Sequence, residues 1–353
     1  MPYETWRKLM NKLTTELKGA GGLTTGAFPS WPDFRDYKYN HLVPTISAEQ
    51  LPAEVDYRRN MPPVWDQGQL GTCVAAASCW GLKAFQEISQ GDFPAKGLSV
   101  AYLYALCKQR DGIPNEAGTY PRVALKVLQE IGVCTEDVLP YSWLNTDKNV
   151  PQPPVNLAEQ ASKYRIKTYA QICGITDKNR SGTVEALKRA IWREGVVLAA
   201  LLVCSNFLEP KDGIIPLPSG RVLGGHAVTL CGYSDKRQAF LLRNSWGQKW
   251  GENGYAWLPY SWITARDLDI GYWYFFEAWT AVDIAVPKAA RKIELTVGEK
   301  AAKVDDVIIL TDQEPLITKA GRTVVPLRFV ASNMGYLVKY DHATNKIIMT
   351  KPN

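Results

Sequence analysis

Two apolar runs, HAVTLCGY (226–233) and AFLLRN (239–244), flank the turn Ser234-Asp235-Lys236-Arg237. Short runs rich in β-branched and aromatic residues, parted by polar turn residues, predict an antiparallel hairpin. In a hairpin centred near residue 235, paired positions sum to about 470, which sets His226 beside Asn244. The same texture continues in GYAWLPYSW (254–262) and YWYFFEAW (272–279). Upstream the spacing is helical instead. Thr72 to about Gln90 is closed by Gly91, Val100 to Lys108 follows, and Arg122 to Ile131 is closed by Gly132. Thr183 to Glu194 reads as a further helix, and the nine-residue run Val196 to Cys204 as a buried strand. A helix-rich half before a strand-rich half predicts an α+β fold with a cleft between the two.

The length, 353 residues, suggests two domains. AVDIAVPKAARK (281–292) reads as a linker. Beyond it the sequence holds no Cys and no Trp but many Val, Ile, Lys and Asp residues. The expected division is an N-terminal helix and extended arm over 1–50, a main domain over 51–282 and a small α+β domain over 291–353. Trp6, Leu9, Met10, Leu13 and Leu17 place an amphipathic helix in the first segment. A net charge of +6, without a basic block or zinc-finger spacing, argues against nucleic acid as a partner. No run approaches the ~18 apolar residues of a membrane span. The first twenty residues carry Glu4 and Glu16 and lack the apolar core of a signal peptide, which favours the cytoplasm.

The seven cysteines form no CxxC pair and are odd in number, so neither a disulfide framework nor a zinc site is expected. One of them stands out. Gly71-Thr72 precedes a run of helix formers, which puts Cys73 in the first turn of a helix. The positive end of the helix dipole favours a thiolate there, and a nearby imidazole would complete an activated nucleophile. Asn244 beside His226 can fix the tautomer of the ring. Gln67, six residues before Cys73, can join the Cys73 N–H in holding an oxyanion.

These residues resemble the papain-like cysteine peptidases. The resemblance rests on Gln67-Gly68-x-x-Gly71-Thr72-Cys73, Gly225-His226-Ala227 and Asn244-Ser245-Trp246-Gly247-x-x-Trp250-Gly251-Glu252-Asn253-Gly254-Tyr255, and covers roughly residues 52–280. It implies the papain two-lobe fold, a helical lobe facing a β-rich lobe. It also implies a cysteine endopeptidase with Cys73, His226, Asn244 and Gln67 as catalytic residues, acting through an acyl-enzyme on a peptide or protein substrate, without metal or cofactor. Gly118, Thr119, Gly225 and Trp246 become the expected substrate-side positions, Trp246 also shielding the Asn–His bond. Pro140-Tyr141 belongs to the same pattern. Leu70 stands where the family has a half-cystine, Val74 where it has a tryptophan after the nucleophile, and Thr119 where it has a second glycine. Ser78-Cys79-Trp80 mimics the family string, but Cys79 lies twelve residues from Gln67 and reads as a core thiol.

Residues 291–353, with GRTVVPLRFV (321–330), resemble the copper amine oxidase N-terminal-like domain, an accessory module of Gram-positive bacteria. His342, Met334 and Met349 are too few for copper. The expected role is binding to a cell-surface or protein partner, with Arg322 and Arg328 as contacts. That module favours a secreted or cell-surface location, against the leader argument. Two other functions fit the same residues: a catalytically inert papain-like binding protein, and an acyl transferase or isopeptidase. The arm is too short for the long helical propeptide of many relatives.

Overall fold

The computed structural model describes residues 25–33, 36–42, 51–267 and 271–283, together with short segments between 293 and 350. The amphipathic segment around residues 6–17, Arg322 and Arg328 lie outside the described residues. The chain divides into two compact units, Met1–Asp283 and Ile284–Asn353.

In the first unit helix α1 runs as Cys73–Ala76, a π-helical stretch Ala77–Lys83 and Ala84–Gln90. Gly91 ends it in the left-handed conformation, φ 79°. The π stretch has a local cause. Gly81 lies so close to the sheet that a Cβ would fall 1.9 Å from Thr229 Oγ1. Two carbonyls of the widened turns accept from sheet side chains, Ala77 O from Thr229 Oγ1 and Trp80 O from Arg243 Nη1. Polar insertion into the helical ladder is a recognised cause of such widening. Helices α2 (Val100–Lys108), capped by the Ser99 side chain, and α3 (Pro121–Glu130) pack beside α1. Helix α4 (Thr183–Glu194) covers the far face of the sheet.

The sheet has seven strands: β1 (Glu54–Asp56), β2 (Ile166–Cys173), β3 (Val197–Cys204), β4 (Val222–Ser234), β5 (Ala239–Arg243), β6 (Tyr255–Pro259) and β7 (Phe275–Asp283). They run in the order β2-β7-β3-β4-β5-β6, with β1 added to β4. Every residue of β3 is buried, in keeping with its unbroken apolar run. This is the α+β organisation anticipated, helices α1–α3 on one side and the antiparallel sheet on the other.

The β4–β5 hairpin forms, but its register differs from the expected one. Thr229 pairs with Arg243 and Leu230 with Leu242, then a shift at Cys231 moves the pairing to Gly232–Leu241 and Tyr233–Phe240. His226 therefore faces Leu201 of β3 in the ladder. Asn244 follows the last residue of β5 and reaches His226 diagonally, a span that polar side chains bridge.

In the second unit Ile293–Leu295, Ala301–Val304 and Val307–Leu310 form an antiparallel three-stranded sheet. Leu316–Ile317 pairs with Thr323–Val324, and Leu337–Asp341 with Lys346–Thr350.

Candidate active site

Cys73 is the first residue of α1 and is fully buried. Its Sγ accepts a hydrogen bond from Ala227 N at 3.5 Å, which binds the helix start to β4 next to His226. His226 Nε2 lies 2.7 Å from Asn244 Oδ1. The same oxygen accepts from Ser245 N at 2.8 Å. Two donors on one oxygen fix the amide orientation and place the imidazole hydrogen on Nε2. Nδ1 is then the basic nitrogen, and it has no hydrogen-bond partner among the described residues.

Trp246 stacks on the His226 ring, centroids 4.3 Å apart and planes 24° from parallel. Phe207 stands edge-on beside the stacked pair, 6.2 Å from His226 and 5.8 Å from Trp246. The His–Asn bond is thus shut away from water, where it is electrostatically stronger. The structure gives Trp246 this shielding position.

Gln67 is buried against the same corner. Its side-chain oxygen accepts from Ser245 Oγ at 2.7 Å and its Nε2 donates to Leu70 O at 2.9 Å. The backbone joins too: Gln67 N donates to Ser245 O and Gly247 N to Trp65 O. Segment 65–67 is therefore laced to 245–247, which ties the loop before Cys73 to the turn after β5. Cys79 faces the other way, its Sγ donating to Ser99 O at 3.7 Å inside the helical lobe.

Residues 51–264 match the papain family cysteine protease domain, and residues 279–349 the copper amine oxidase N-terminal domain. The chain belongs to the papain family. It is 29% identical over 270 residues to an uncharacterised peptidase C1-like protein of Acanthamoeba polyphaga mimivirus, covering 70% of this chain and 85% of that one. A cathepsin B-like protein of Giardia intestinalis is 28% identical over 223 residues, 60% of this chain and 70% of its own. Xylellain, a cysteine protease from Xylella fastidiosa, superposes with a TM-score of 0.60 at 27% identity, covering 74% of this chain and 96% of its own. This protein is a papain-like cysteine peptidase, a hydrolase that acts on protein substrates.

The space between Thr119 and Gly225 is occupied by the chain's own arm. Residues 25–30 are all buried between the two lobes. Gly26 N and Ala27 N both donate to Gly225 O, at 2.9 and 2.8 Å. Thr119 N donates to Gly26 O at 2.9 Å, and Phe28 N to Thr119 O at 3.0 Å, a parallel bridge. The fit leaves no room for side chains along this track. A Cβ on Gly118, whose φ is +96°, would meet Gly26 O at 2.2 Å, and one on Gly225 would meet Ala27 O at 1.9 Å. Gly118, Thr119 and Gly225 thus all lie against residues 26–28, while Trp246 stacks on His226 away from them.

Farther along, Ser30 N and Ser30 Oγ both donate to Glu277 Oε1, at 3.1 and 3.2 Å. Arg122 reaches Asp33 at 3.1 Å and Asp36 at 3.3 Å. The Phe28 ring lies 5.9 Å from that of Tyr120. Ser30, Arg122 and Glu277 were not evident in the sequence, because a clasp of single polar residues from three distant segments leaves no periodic trace. Burial of Glu277 pushes its carboxyl up to about 7.

Burial sets the protonation of the Cys73–His226 pair. Burial pushes the Cys73 thiol up to about 12, outweighing the backbone N–H groups of Ala227, Val74, Cys73 and Gly26 that favour a thiolate. Burial also drives His226 down to about 4, against the Asn244 bond, which raises it. The depressed thiol anticipated from the helix terminus is therefore not what burial leaves in this structure. Desolvation exceeds the dipole contribution, and the neutral thiol and neutral imidazole coexist between those two values.

Proposed function

We propose that this peptidase cleaves peptide bonds within chains through Cys73, His226 and Asn244, and that it is latent while residues 25–30 fill the cleft. The observation that carries the reading is the geometry around His226. Nε2 is committed to Asn244, and Nδ1 is left as the base on a ring locked by Trp246.

With the arm displaced, water and substrate reach the pair. His226 Nδ1 takes the Cys73 proton, and the thiolate carbon–sulfur bond forms at the peptide carbonyl. The Cys73 N–H and Gln67 Nε2 hold the oxyanion. The imidazolium then protonates the leaving nitrogen, the C–N bond breaks, and a thioester remains. Water, deprotonated by His226, attacks the thioester and restores the thiol. Asn244 keeps the ring in place throughout. Residues 291–353, as a separate accessory domain, would serve binding to a larger partner.

Product analysis with a fluorogenic peptide and an added amine tests the hydrolytic step. Free acid as the product supports the reading, while amide formation at low amine would replace hydrolysis by acyl transfer. Gln67→Ala should lower kcat by about 10²–10³, the usual cost of one oxyanion donor, far more than it alters KM. A change confined to KM would make Gln67 a binding residue.

A further inference from the structure

The six residues from Gln67 to Thr72 carry an oxyanion donor at one end and the start of α1 at the other. Both ends are tied to a single atom. Tyr141 Oη donates to Gln67 O at 2.8 Å, and it lies 2.7 Å from Thr72 Oγ1, which donates to it. Thr72 is the residue before α1, yet its hydroxyl makes no bond to the helix backbone. It is spent on Tyr141 instead. The middle of the loop is held from the same segment, Gly71 N donating to Asp147 Oδ2 at 2.7 Å.

Tyr141 is itself well anchored. Its N donates to Glu136 Oε1 at 2.6 Å, and its ring stands edge-on to Trp65, 5.3 Å away at 86°. Burial pushes its hydroxyl up to about 12, so it remains a protonated donor at any working pH. Leu70 fills the place in this loop where relatives resembling it have a half-cystine, so no disulfide from that position braces the loop.

We propose that Tyr141 is a positioning residue for oxyanion stabilisation, holding Gln67 and the start of α1 in register through one hydroxyl. The proposal rests on the catalytic reading of Cys73 and Gln67 above. An oxyanion donor is useful only within a few tenths of an ångström of its place. Tyr141 touches neither the Gly118–Thr119 nor the Gly225 side of the groove in any hydrogen bond described, so substrate binding should not depend on it.

Tyr141→Phe removes the hydroxyl and keeps the ring on Trp65. In the full-length chain, amide exchange of residues 68–72 should speed up by about tenfold, with exchange in β5 unchanged. In the full-length chain opened by Gly26→Val, kcat should fall by about tenfold and KM should stay within about twofold. In a Gln67→Ala background the same substitution should cost less than about twofold, because it acts through Gln67. Unchanged exchange at 68–72 overturns the proposal whether or not the cleft is open. So does a loss of kcat that persists in full without Gln67, since that marks a general structural effect. If Gln67→Ala alone leaves kcat intact, the oxyanion assignment falls instead.

Discussion

In the chain opened by Gly26→Val, Cys73→Ala should lower peptide hydrolysis by on the order of 10⁴–10⁶, the scale on which loss of a covalent nucleophile is felt. Cys79→Ala should leave kcat and KM in place and cost only about 1–2 kcal/mol of stability. The contrast is sharp because a generic cysteine-protease string, Ser-Cys-Trp, falls on Cys79 and not on Cys73. The geometry separates them. Cys73 Sγ meets Ala227 N next to His226, whereas Cys79 Sγ points at Ser99 O in the helical lobe. Active-site titration with an epoxysuccinyl reagent, followed by mapping of the modified peptide, decides it. Modification of Cys79 with loss of activity, while Cys73→Ala still turns over, would reverse the assignment.

Gly26→Val should open the cleft. A Cβ at this position would lie 2.3 Å from Gly71 O and 3.0 Å from Gly71 Cα, both backbone atoms that cannot swing aside. The segment therefore cannot keep its seat with any side chain at 26. With the arm seated, a thiol at about 12 leaves roughly one thiolate in 10⁴ at pH 8. With it gone, Cys73 and His226 regain water, the desolvation that forced both to neutrality is lifted, and the helix terminus can favour the thiolate. The rate of iodoacetamide labelling at Cys73 should rise by about 10³ near pH 8. Its pH profile should change as well. The seated form should gain reactivity only as pH climbs far into the alkaline range, because the buried thiol must lose its proton against desolvation. The opened enzyme should show a bell in kcat/KM, rising as the thiolate forms and falling as the imidazolium deprotonates. Equal labelling of both proteins at pH 8 would show that the arm leaves the cleft freely.

Much of the candidate site was legible because its residues lie at element ends. A glycine–threonine pair before helix formers places Cys73, and the apolar texture of β4 and β5 brings His226 and Asn244 to one end of a hairpin. The detail of that hairpin was not legible. Counting from residue 235 misplaces the turn, since the pairs beside it sum to three more than assumed, and the shift at Cys231 then takes back only one of the three. The contact survives because Asn244 sits just past the strand, where its side chain can cross to the neighbouring pair. The docking of the expected arm in the cleft was not legible for a different reason. Residues 25–28 are held mainly by backbone N–H and C=O groups, which every residue possesses, so nothing in their side chains announces the docking. Only Gly26, against Gly71, carries a steric signature, and that appears once the fold is known.

All seven cysteines remain thiols, and all are buried. A nucleophile of this class is kept competent by reductants, because oxidation of its sulfur stops the reaction. In a scaffold stapled by disulfides the same reductants would erode the framework they are meant to protect. Here the framework rests on packing and on polar ties such as Arg122–Asp33 and Lys108–Asp111, which electrons do not touch. Millimolar dithiothreitol can therefore accompany this protein through refolding, storage and assay, and its melting temperature should be the same in the oxidised buffer as in the reduced one.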